Sequence, residues 1–149
     1  MKIAIGSDHR GFAVKQRLLN SVRQQGHEVY DAGAYSNEFA DYPDFAFAVA
    51  SRVGSGEFDR GILMCGTGIG MCIAANKVDG VRAAPCHDPV TAEMSRRHND
   101  ANVLCMSADL LGEEMIERIV KLWLDTPFEG GRHARRVDKI TKFESDRRG

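Results

Sequence analysis

The sequence lacks the patterns that mark metal-binding, secreted or membrane-spanning proteins. Its four cysteines form no C-x-x-C pair and its five histidines show no H-x-x-x-H spacing, the usual arrangements in zinc sites. No signal-peptide pattern precedes the first strand-like run, and the longest apolar runs are far shorter than the roughly 20 residues that span a bilayer. Free thiols indicate a reducing compartment. We therefore expect no metal, no membrane partner and a cytoplasmic location.

An excess of charge of one sign is also missing. Twenty Lys and Arg residues face 21 Asp and Glu residues, so the formal net charge is -1. Such a chain has no broad field to attract nucleic acid, and a small anionic ligand would be held by local groups. The length of 149 residues and the apolar share of 43% fit one globular domain over residues 1–149.

Short β-rich runs alternate with helix-length amphipathic segments along the whole chain. The pattern predicts strands at Ile3–Ser7, His27–Ala32, Arg60–Cys65, Val81–Cys86 and Asn102–Met106. It predicts helices at Phe12–Gln25, at Phe45–Val53, from the glycine loop to near Lys77, from Asp88 to about His98, at Glu113–Leu124 and at Arg132–Arg148. This order predicts an α/β fold, a doubly wound (Rossmann-like) five-stranded parallel sheet with flanking helices.

Ligands of such sheets bind beyond the carboxyl ends of the strands, where the winding reverses. Three segments are therefore candidate binding loops: Asp8–Gly11, Cys65–Gly70 and the stretch after Cys86. The strongest local signal is the run of alternating glycines, Gly66-Thr67-Gly68-Ile69-Gly70, whose backbone N–H groups can converge on an anion. A tight turn with nothing bound is the alternative, but alternating glycines exceed what such a turn needs. Met71 occupies the place of the last glycine in the dinucleotide fingerprint, so the loop carries no nucleotide signature.

Cys65 ends the third predicted strand, directly before the glycine loop. The N–H groups at a helix start stabilise a thiolate, which could act as a nucleophile or a base. A small buried hydrophobic side chain is the other interpretation, and it is the one we assign to Cys72, Cys86 and Cys105. Position alone leaves both interpretations of Cys65 open.

Other polar residues lie at the ends of predicted elements. Taken singly, Asp8-His9 fits a helix cap with a surface histidine, and His98-Asn99 fits a polar helix end. Arg132 and Arg136 are four residues apart and share a helical face, which suits a phosphate but is more often a solvated basic face.

Several of these motifs occur in one order along nearly the whole chain. They are Gly6-Ser7-Asp8-His9-Arg10-Gly11, Asp41-Tyr42-Pro43, Cys65-Gly66-Thr67-Gly68-Ile69-Gly70, Ile73-Ala74-Ala75-Asn76-Lys77, His98-Asn99-Asp100-Ala101-Asn102 and Glu129-Gly130-Gly131-Arg132-His133. Together they resemble the type B ribose-5-phosphate isomerases, whose superfamily includes the galactose-6-phosphate isomerase subunits. The resemblance implies a cofactor-free aldose–ketose isomerase that works through a cis-enediolate.

The resemblance also implies a role for each candidate residue. Cys65 would move a proton between C2 and C1, and His98 would open the furanose ring with Thr67 relaying a proton. The oxyanion would be stabilised by the backbone N–H groups of Gly66, Gly68, Ile69 and Gly70. Sugar hydroxyls would be held by Asp8 and Asn99, and the phosphate by His9, Arg132 and Arg136. The two arginines would come from a neighbouring subunit, in a homodimer or a tetramer in which the last helix of each chain reaches the partner.

Two positions depart from the pattern of the family. Met71 stands where one branch has a glutamate base, and Asp109 stands where we expect an arginine near the phosphate. Ribose 5-phosphate is the default substrate, with a four-carbon substrate such as erythrulose 4-phosphate, or a six-carbon sugar phosphate, as alternatives. A non-catalytic flavodoxin-like ligand-binding domain is the competing class, and it would need neither Cys65 nor His98.

Overall fold

Five parallel strands form a single sheet in the computed structural model, which describes all 149 residues. The strands are β1 (Lys2–Ser7), β2 (Glu28–Asp31), β3 (Arg60–Cys65), β4 (Ala83–Pro85) and β5 (Val103–Ser107). Their order across the sheet is β2-β1-β3-β5-β4, and every neighbouring pair is parallel. The chain winds outward from β1 to β2 and then turns back to β3 on the other side. The predicted doubly wound architecture is confirmed.

Six helices complete the fold: α1 (Phe12–Gln24), α2 (Tyr42–Gly54), α3 (Ile69–Ala75), α4 (Pro89–Arg97), α5 (Glu113–Asp125) and α6 (Arg132–Arg147). Helices α1, α4 and α5 bury their apolar faces in a core of 16 residues on one side of the sheet. Helices α2 and α3 pack into a second core of 15 residues on the other side. The central strands are buried on both faces, which explains the unbroken apolar run Gly-Ile-Leu-Met-Cys of β3.

The largest difference from the predicted elements concerns β4, which was predicted over Val81–Cys86 but pairs only through Ala83–Pro85. It is the edge strand, with β5 as its one neighbour. At its start a side chain takes part in the pairing, because Asn102 Oδ1 accepts from Arg82 N at 2.7 Å while Asn102 N donates to Arg82 O at 3.0 Å. Pro85 ends the strand and has no N–H to offer a further neighbour.

Helix α6 touches its own domain at few points, as its sparse apolar residues predicted. Val137 is buried, and near the other end the Glu144 carboxylate accepts the backbone N–H of Gly80 at 3.0 Å. Ile140 and Phe143 are 55% and 66% exposed. A cavity of about 660 Å³ lies between this helix and the β4 edge. Contact of α6 with a partner subunit stays a prediction. No helix of the protein has the length and apolar content required to cross a membrane.

One ion pair lies inside the fold, between α1 and the end of β2. Lys15 is fully buried, and its Nζ lies 2.6 Å from Asp31 Oδ1. The same carboxylate oxygen accepts the Gly33 N–H at 2.9 Å. Removing one partner of a buried pair leaves an uncompensated charge, which destabilises more than the pair itself stabilises.

We therefore expect Asp31→Asn to lower the free energy of unfolding by about 3 kcal/mol. The matched control is Asp125→Asn, because Asp125 pairs with Lys121 at the same 2.6 Å with both side chains exposed. The control should cost less than about 0.5 kcal/mol. Urea denaturation of both variants measures the difference, and equal losses would show that burial of Lys15 carries no penalty.

Candidate active site

The loops after β1 and β3 meet at the point where the winding of the sheet reverses. Asp8 N donates to the Met64 carbonyl at 3.2 Å, and a Cβ on Gly11 would lie 2.9 Å from Met64 O. Asp8 is nearly buried, and its carboxylate accepts the backbone N–H groups of Arg10 at 2.9 Å and Gly11 at 3.2 Å. The loops expected to line a crevice at the carboxyl ends of these strands therefore lie together, with Asp8 held in place by the backbone.

The glycine loop is pressed between β5 and the start of α2. Gly68 has a φ of +80°, and a Cβ there would lie 2.8 Å from the carbonyl carbon of Met106. A Cβ on Gly70 would lie 2.6 Å from the ring of Tyr42. Left-handed φ and the approach of the Met106 backbone each require glycine at Gly68, whereas a side chain at Gly70 would require the Tyr42 ring to move.

Cys65 ends β3 with only 5% of its surface exposed. Its Sγ accepts the Gly68 N–H at 3.2 Å, a contact that stabilises a thiolate. The backbone N–H groups of Gly66, Thr67 and Gly70 have no acceptor within the chain. Unpaired donors next to a sulfur nucleophile or base suit a reaction in which negative charge develops on a substrate oxygen.

Other parts of the glycine loop are exposed, and His9 beside it is half-buried. Thr67 and Ile69 are exposed, and Thr67 Oγ1 accepts the Ile69 N–H at 3.3 Å. The Nδ1 of His9 contacts the backbone of Ala40, 3.2 Å from its N and 3.3 Å from its O. The structure thus brings together Asp8, His9, Cys65 and the glycine loop, as the sequence analysis expected.

His98 and Asn99 do not join this group within one chain. They follow α4, and two contacts place the segment at the amino ends of the strands: Asn102 O accepts from Gly61 N, and Asn99 O accepts from Arg82 Nε. The five residues of β5 separate that edge from the Cys65 edge by about 16 Å. A helix that follows a parallel strand must return its far end to the opposite edge, so His98 cannot reach Cys65 of its own chain.

His98 instead belongs to a cluster at the start of α6. Its ring stacks on that of His133 with centroids 4.1 Å apart, and Glu129 Oε2 lies 3.7 Å from His98 Nε2 and 3.3 Å from His133 Nε2. Arg97 pairs with Glu129 and holds the pKa of that carboxyl below its usual range. Burial, followed by the nearby charge of His98, lowers the pKa of His133. Arg132 is exposed beside this cluster.

Arg132 and Arg136 lie on the first turns of α6, at the same edge as His98. The helical spacing expected from the sequence is confirmed for this pair. The candidate residues therefore form two groups at opposite edges of the sheet: a Cys65 group and a His98 group.

The His98 group also contains the only three potential metal ligands that lie close together. The ligand atoms of His98, Glu129 and His133 are within 4.8 Å of one another. The two rings are inclined by only 10°, so the in-plane lone pairs of their nitrogens run parallel and do not converge on one ion. Glu129 is also paired with Arg97. The arrangement suits a stacked histidine pair beside a carboxylate rather than a metal centre.

Arg10 and Asp109 are site residues that sequence reasoning did not join. Asp109 Oδ2 accepts from Arg10 Nε at 2.7 Å, and this oxygen lies 3.0 Å from where a Cβ on Gly66 would be. The two residues are 99 positions apart, so no local pattern could indicate the pair. Only Asp109 had been singled out, as a departure from the family.

Cys72 differs from its description as an inert buried thiol. It is half-buried in α3, whereas Cys86 and Cys105 are buried. A hydrogen bond with Cys105, helped by one from Asn76 and opposed by burial, lowers the pKa of Cys72 to about 7. Burial raises the pKa of Cys86 to about 11. Cys72 is therefore a second thiol to be considered in any test of Cys65.

The chain matches the family model of the ribose/galactose isomerases over residues 3–140 and belongs to that family. It is 48% identical to the ribose-5-phosphate isomerase B of Escherichia coli, over 98% of both chains. It is 43% identical to a D-erythrulose-4-phosphate isomerase of Pectobacterium atrosepticum, over 97% of this chain and 95% of the other. A solved structure of the Clostridium thermocellum ribose-5-phosphate isomerase B superimposes with a TM-score of 0.95 at 51% identity, covering 98% of this chain and 99% of the other.

The close approach of Gly68 to β5 leads to a prediction with an internal control. Gly68 and Gly56 have the same φ of +80°, but a Cβ on Gly56 would meet no atom within 4 Å. We expect Gly56→Ala to cost about 1 kcal/mol for the left-handed backbone alone. Gly68→Ala should cost about 1–3 kcal/mol more because Met106 cannot move aside. Thermal unfolding compares the two variants, and equal shifts would contradict the tight contact with β5.

Proposed function

We propose that this protein interconverts ribose 5-phosphate and ribulose 5-phosphate, as an aldose–ketose isomerase without a cofactor. The observation that supports it most is Cys65 Sγ at the switch point of the sheet, beside unpaired N–H groups of Gly66, Thr67 and Gly70. Membership of the ribose/galactose isomerase family supports the same reaction class. A base with oxyanion donors is what proton transfer next to a carbonyl needs.

The proposed chemistry begins with the open-chain aldose in the crevice. The thiolate of Cys65 removes the proton from C2, and the carbonyl oxygen on C1 gains the electron pair as a cis-enediolate forms. The oxyanion is assigned to the glycine loop, in which the N–H groups of Gly66 and Gly70 are unpaired. Those of Gly68 and Ile69 donate to Cys65 Sγ and Thr67 Oγ1 before substrate binds and would have to be released. Thr67 then relays the proton of the O2 hydroxyl to O1, which moves the negative charge to O2. Return of the proton from the Cys65 thiol to C1, with formation of the C2 carbonyl, gives the ketose. The contact between Sγ and the Gly68 N–H favours the thiolate from which the cycle starts.

The remaining steps need residues from both edges of the sheet. Ring opening is assigned to His98 with Thr67, and the sugar hydroxyls to Asp8 and Asn99. The phosphate is assigned to His9, Arg132 and Arg136. Since the His98 group lies about 16 Å from Cys65 in its own chain, a second copy has to supply it. We therefore propose a homodimer, or a tetramer built from such dimers, in which each site combines a Cys65 group with the partner's His98 group.

Exposed apolar side chains agree with such an assembly. Ile69 and Ile73 of α3 are 56% and 60% exposed beside the glycine loop, and Ile140 and Phe143 of α6 are similarly exposed. Asn99 of the His98 group lines the cavity next to α6. Burying these surfaces against a second copy would remove apolar area from water at both edges.

A four-carbon substrate is the second candidate, because a relative 43% identical is a D-erythrulose-4-phosphate isomerase and because Asp109 places a carboxylate at the crevice. A six-carbon sugar phosphate is the third. Isomerisation assays with a panel of four-, five- and six-carbon aldose phosphates test the proposal. The highest kcat/KM should be for ribose 5-phosphate. A clear preference for a four-carbon sugar phosphate would show that ribose 5-phosphate is not the main substrate.

The role of Cys65 separates an enzyme from a flavodoxin-like binding domain. We expect Cys65→Ser to fold normally and to lower kcat by about 10²-fold or more, as for loss of a catalytic base. Cys72→Ser is the control, because it removes the neighbouring thiol of lowered pKa but leaves the glycine loop intact. Turnover is measured in the presence of a chelator. Near-normal turnover of Cys65→Ser would remove Cys65 from the mechanism.

Subunit mixing tests the shared site. Cys65→Ser and His98→Asn proteins should each be nearly inactive, but a mixed dimer has one site with both changes and one site with neither. Mixing after partial unfolding should therefore restore up to about a quarter of wild-type activity, since half of randomly formed dimers are mixed and each has one intact site. Native mass spectrometry checks the exchange. Confirmed exchange without activity would place both residues in one chain's site or exclude one of them.

A further inference from the structure

The crevice that contains Cys65 has a single strongly basic side chain of its own chain. Five loops leave the carboxyl ends of the strands: residues 8–11, 32–41, 66–68, 86–88 and 108–112. Arg10 is the only Lys or Arg among them, whereas they contain five acidic residues, Asp8, Glu38, Asp41, Asp88 and Asp109. A phosphate dianion entering this edge therefore finds only one guanidinium on the same chain.

The position of Arg10 is set by contacts on two sides. Its backbone N–H donates to Asp8 Oδ1 at 2.9 Å, and its side chain donates Nε to Asp109 Oδ2 at 2.7 Å. Asp109 is itself anchored, because its backbone N–H donates to Gly66 O at 3.2 Å. Arg10 Nε lies 3.1 Å from where a Cβ on Gly66 would be, so the guanidinium covers the first residue after Cys65.

The pair leaves much of the guanidinium available. Asp109 accepts from Nε and from one Nη, and 56% of the Arg10 side chain is exposed. A guanidinium has five N–H donors in a planar fork, so the other edge can meet two oxygens of a phosphate. The Asp109 carboxylate compensates the charge of the Arg10 guanidinium and also orients it. This carboxylate contacts only the edge of the guanidinium that faces Asp109.

We propose that Arg10, aimed by Asp109, binds the phosphate group of the sugar phosphate in the crevice of its own chain. The proposal rests on the proposed function, and it explains how a carboxylate at position 109 is compatible with an anionic substrate: Arg10 neutralises it. Asp109 is then a positioning residue. His9 lies next to Arg10 in the same loop, and its Nε2 makes no hydrogen bond within the chain, so the ring leaves this nitrogen available beside Arg10.

A surface ion pair with no role in binding is the alternative, and the chain contains a matched example. Arg17 Nε lies 2.7 Å from Glu113 Oε1, a pair that also joins two segments distant in sequence, α1 and α5, with side chains 48% and 59% exposed. Exposed pairs of this kind contribute little to stability. A structural role would therefore affect Arg10 and Arg17 variants alike, whereas phosphate binding would affect Arg10 alone.

The experiment compares Arg10→Gln with Arg17→Gln in the full-length protein. KM for ribose 5-phosphate and the inhibition constant of inorganic phosphate should both rise about 10-fold or more in Arg10→Gln, as for a lost charge-assisted hydrogen bond, with a smaller change in kcat. Arg17→Gln should match the wild type in both. Arg10→Lys should give intermediate values, because it keeps the charge but loses the fork.

Unchanged KM and unchanged phosphate inhibition in Arg10→Gln would overturn the proposal. If Arg10→Gln does not fold, as judged by its thermal transition, Arg10→Lys decides in the same way. Direct titration with inorganic phosphate distinguishes failure of the Arg10 proposal from failure of the proposed isomerase function. A wild-type protein that isomerises no sugar phosphate would overturn the proposed function, while weaker phosphate binding by Arg10→Gln than by Arg17→Gln would still support Arg10 as an anion-binding residue.

Discussion

Close backbone approach at the carboxyl ends of β1, β3 and β5 is the constraint on which the site depends. A Cβ on Gly11 or Gly68 would lie under 3 Å from backbone atoms of Met64 or Met106. Both glycines let a loop lie directly against a neighbouring strand. The result is a sulfur at Cys65 that is almost buried, yet has a backbone donor at 3.2 Å and further unpaired donors beside it. With any larger side chain at Gly68, the loop would move away from β5 and carry these donors with it.

The polarity of a parallel sheet determines where the remaining candidate residues can lie. Each strand ends at one edge and each returning helix ends at the other, so residues after a strand and residues after a helix are separated by the strand length. Cys65 ends a strand and lies at one edge, whereas His98 follows a helix and lies at the other edge. Both groups are well ordered by their own contacts, the first by the glycine loop and the second by Glu129. A site that needs both is therefore a property of two chains.

The charged side chains of this protein form local pairs and do not create a long-range electrostatic field. Asp8 is held by backbone N–H groups, Asp109 by Arg10 and Glu129 by Arg97. With a net charge of -1, long-range attraction for an anionic substrate is negligible, so recognition depends on these fixed groups. Pairing aligns the donors before any ligand arrives, which reduces the reorganisation needed when charge develops during a reaction.

The sequence by itself determined the fold class, the position of the glycine loop and the reaction family. Alternating periodicities, the doubly apolar run of β3 and the glycines after Cys65 are local features, because they reflect backbone geometry and burial within a few residues. Only the tertiary structure decided which candidate site residues lie close together. The shortening of β4 follows from its place at the sheet edge, the separation of His98 from Cys65 follows from strand direction, and the pairing of Arg10 with Asp109 joins loops 99 residues apart. Strand order and register set these distances, and they are long-range properties that no local pattern of residues encodes.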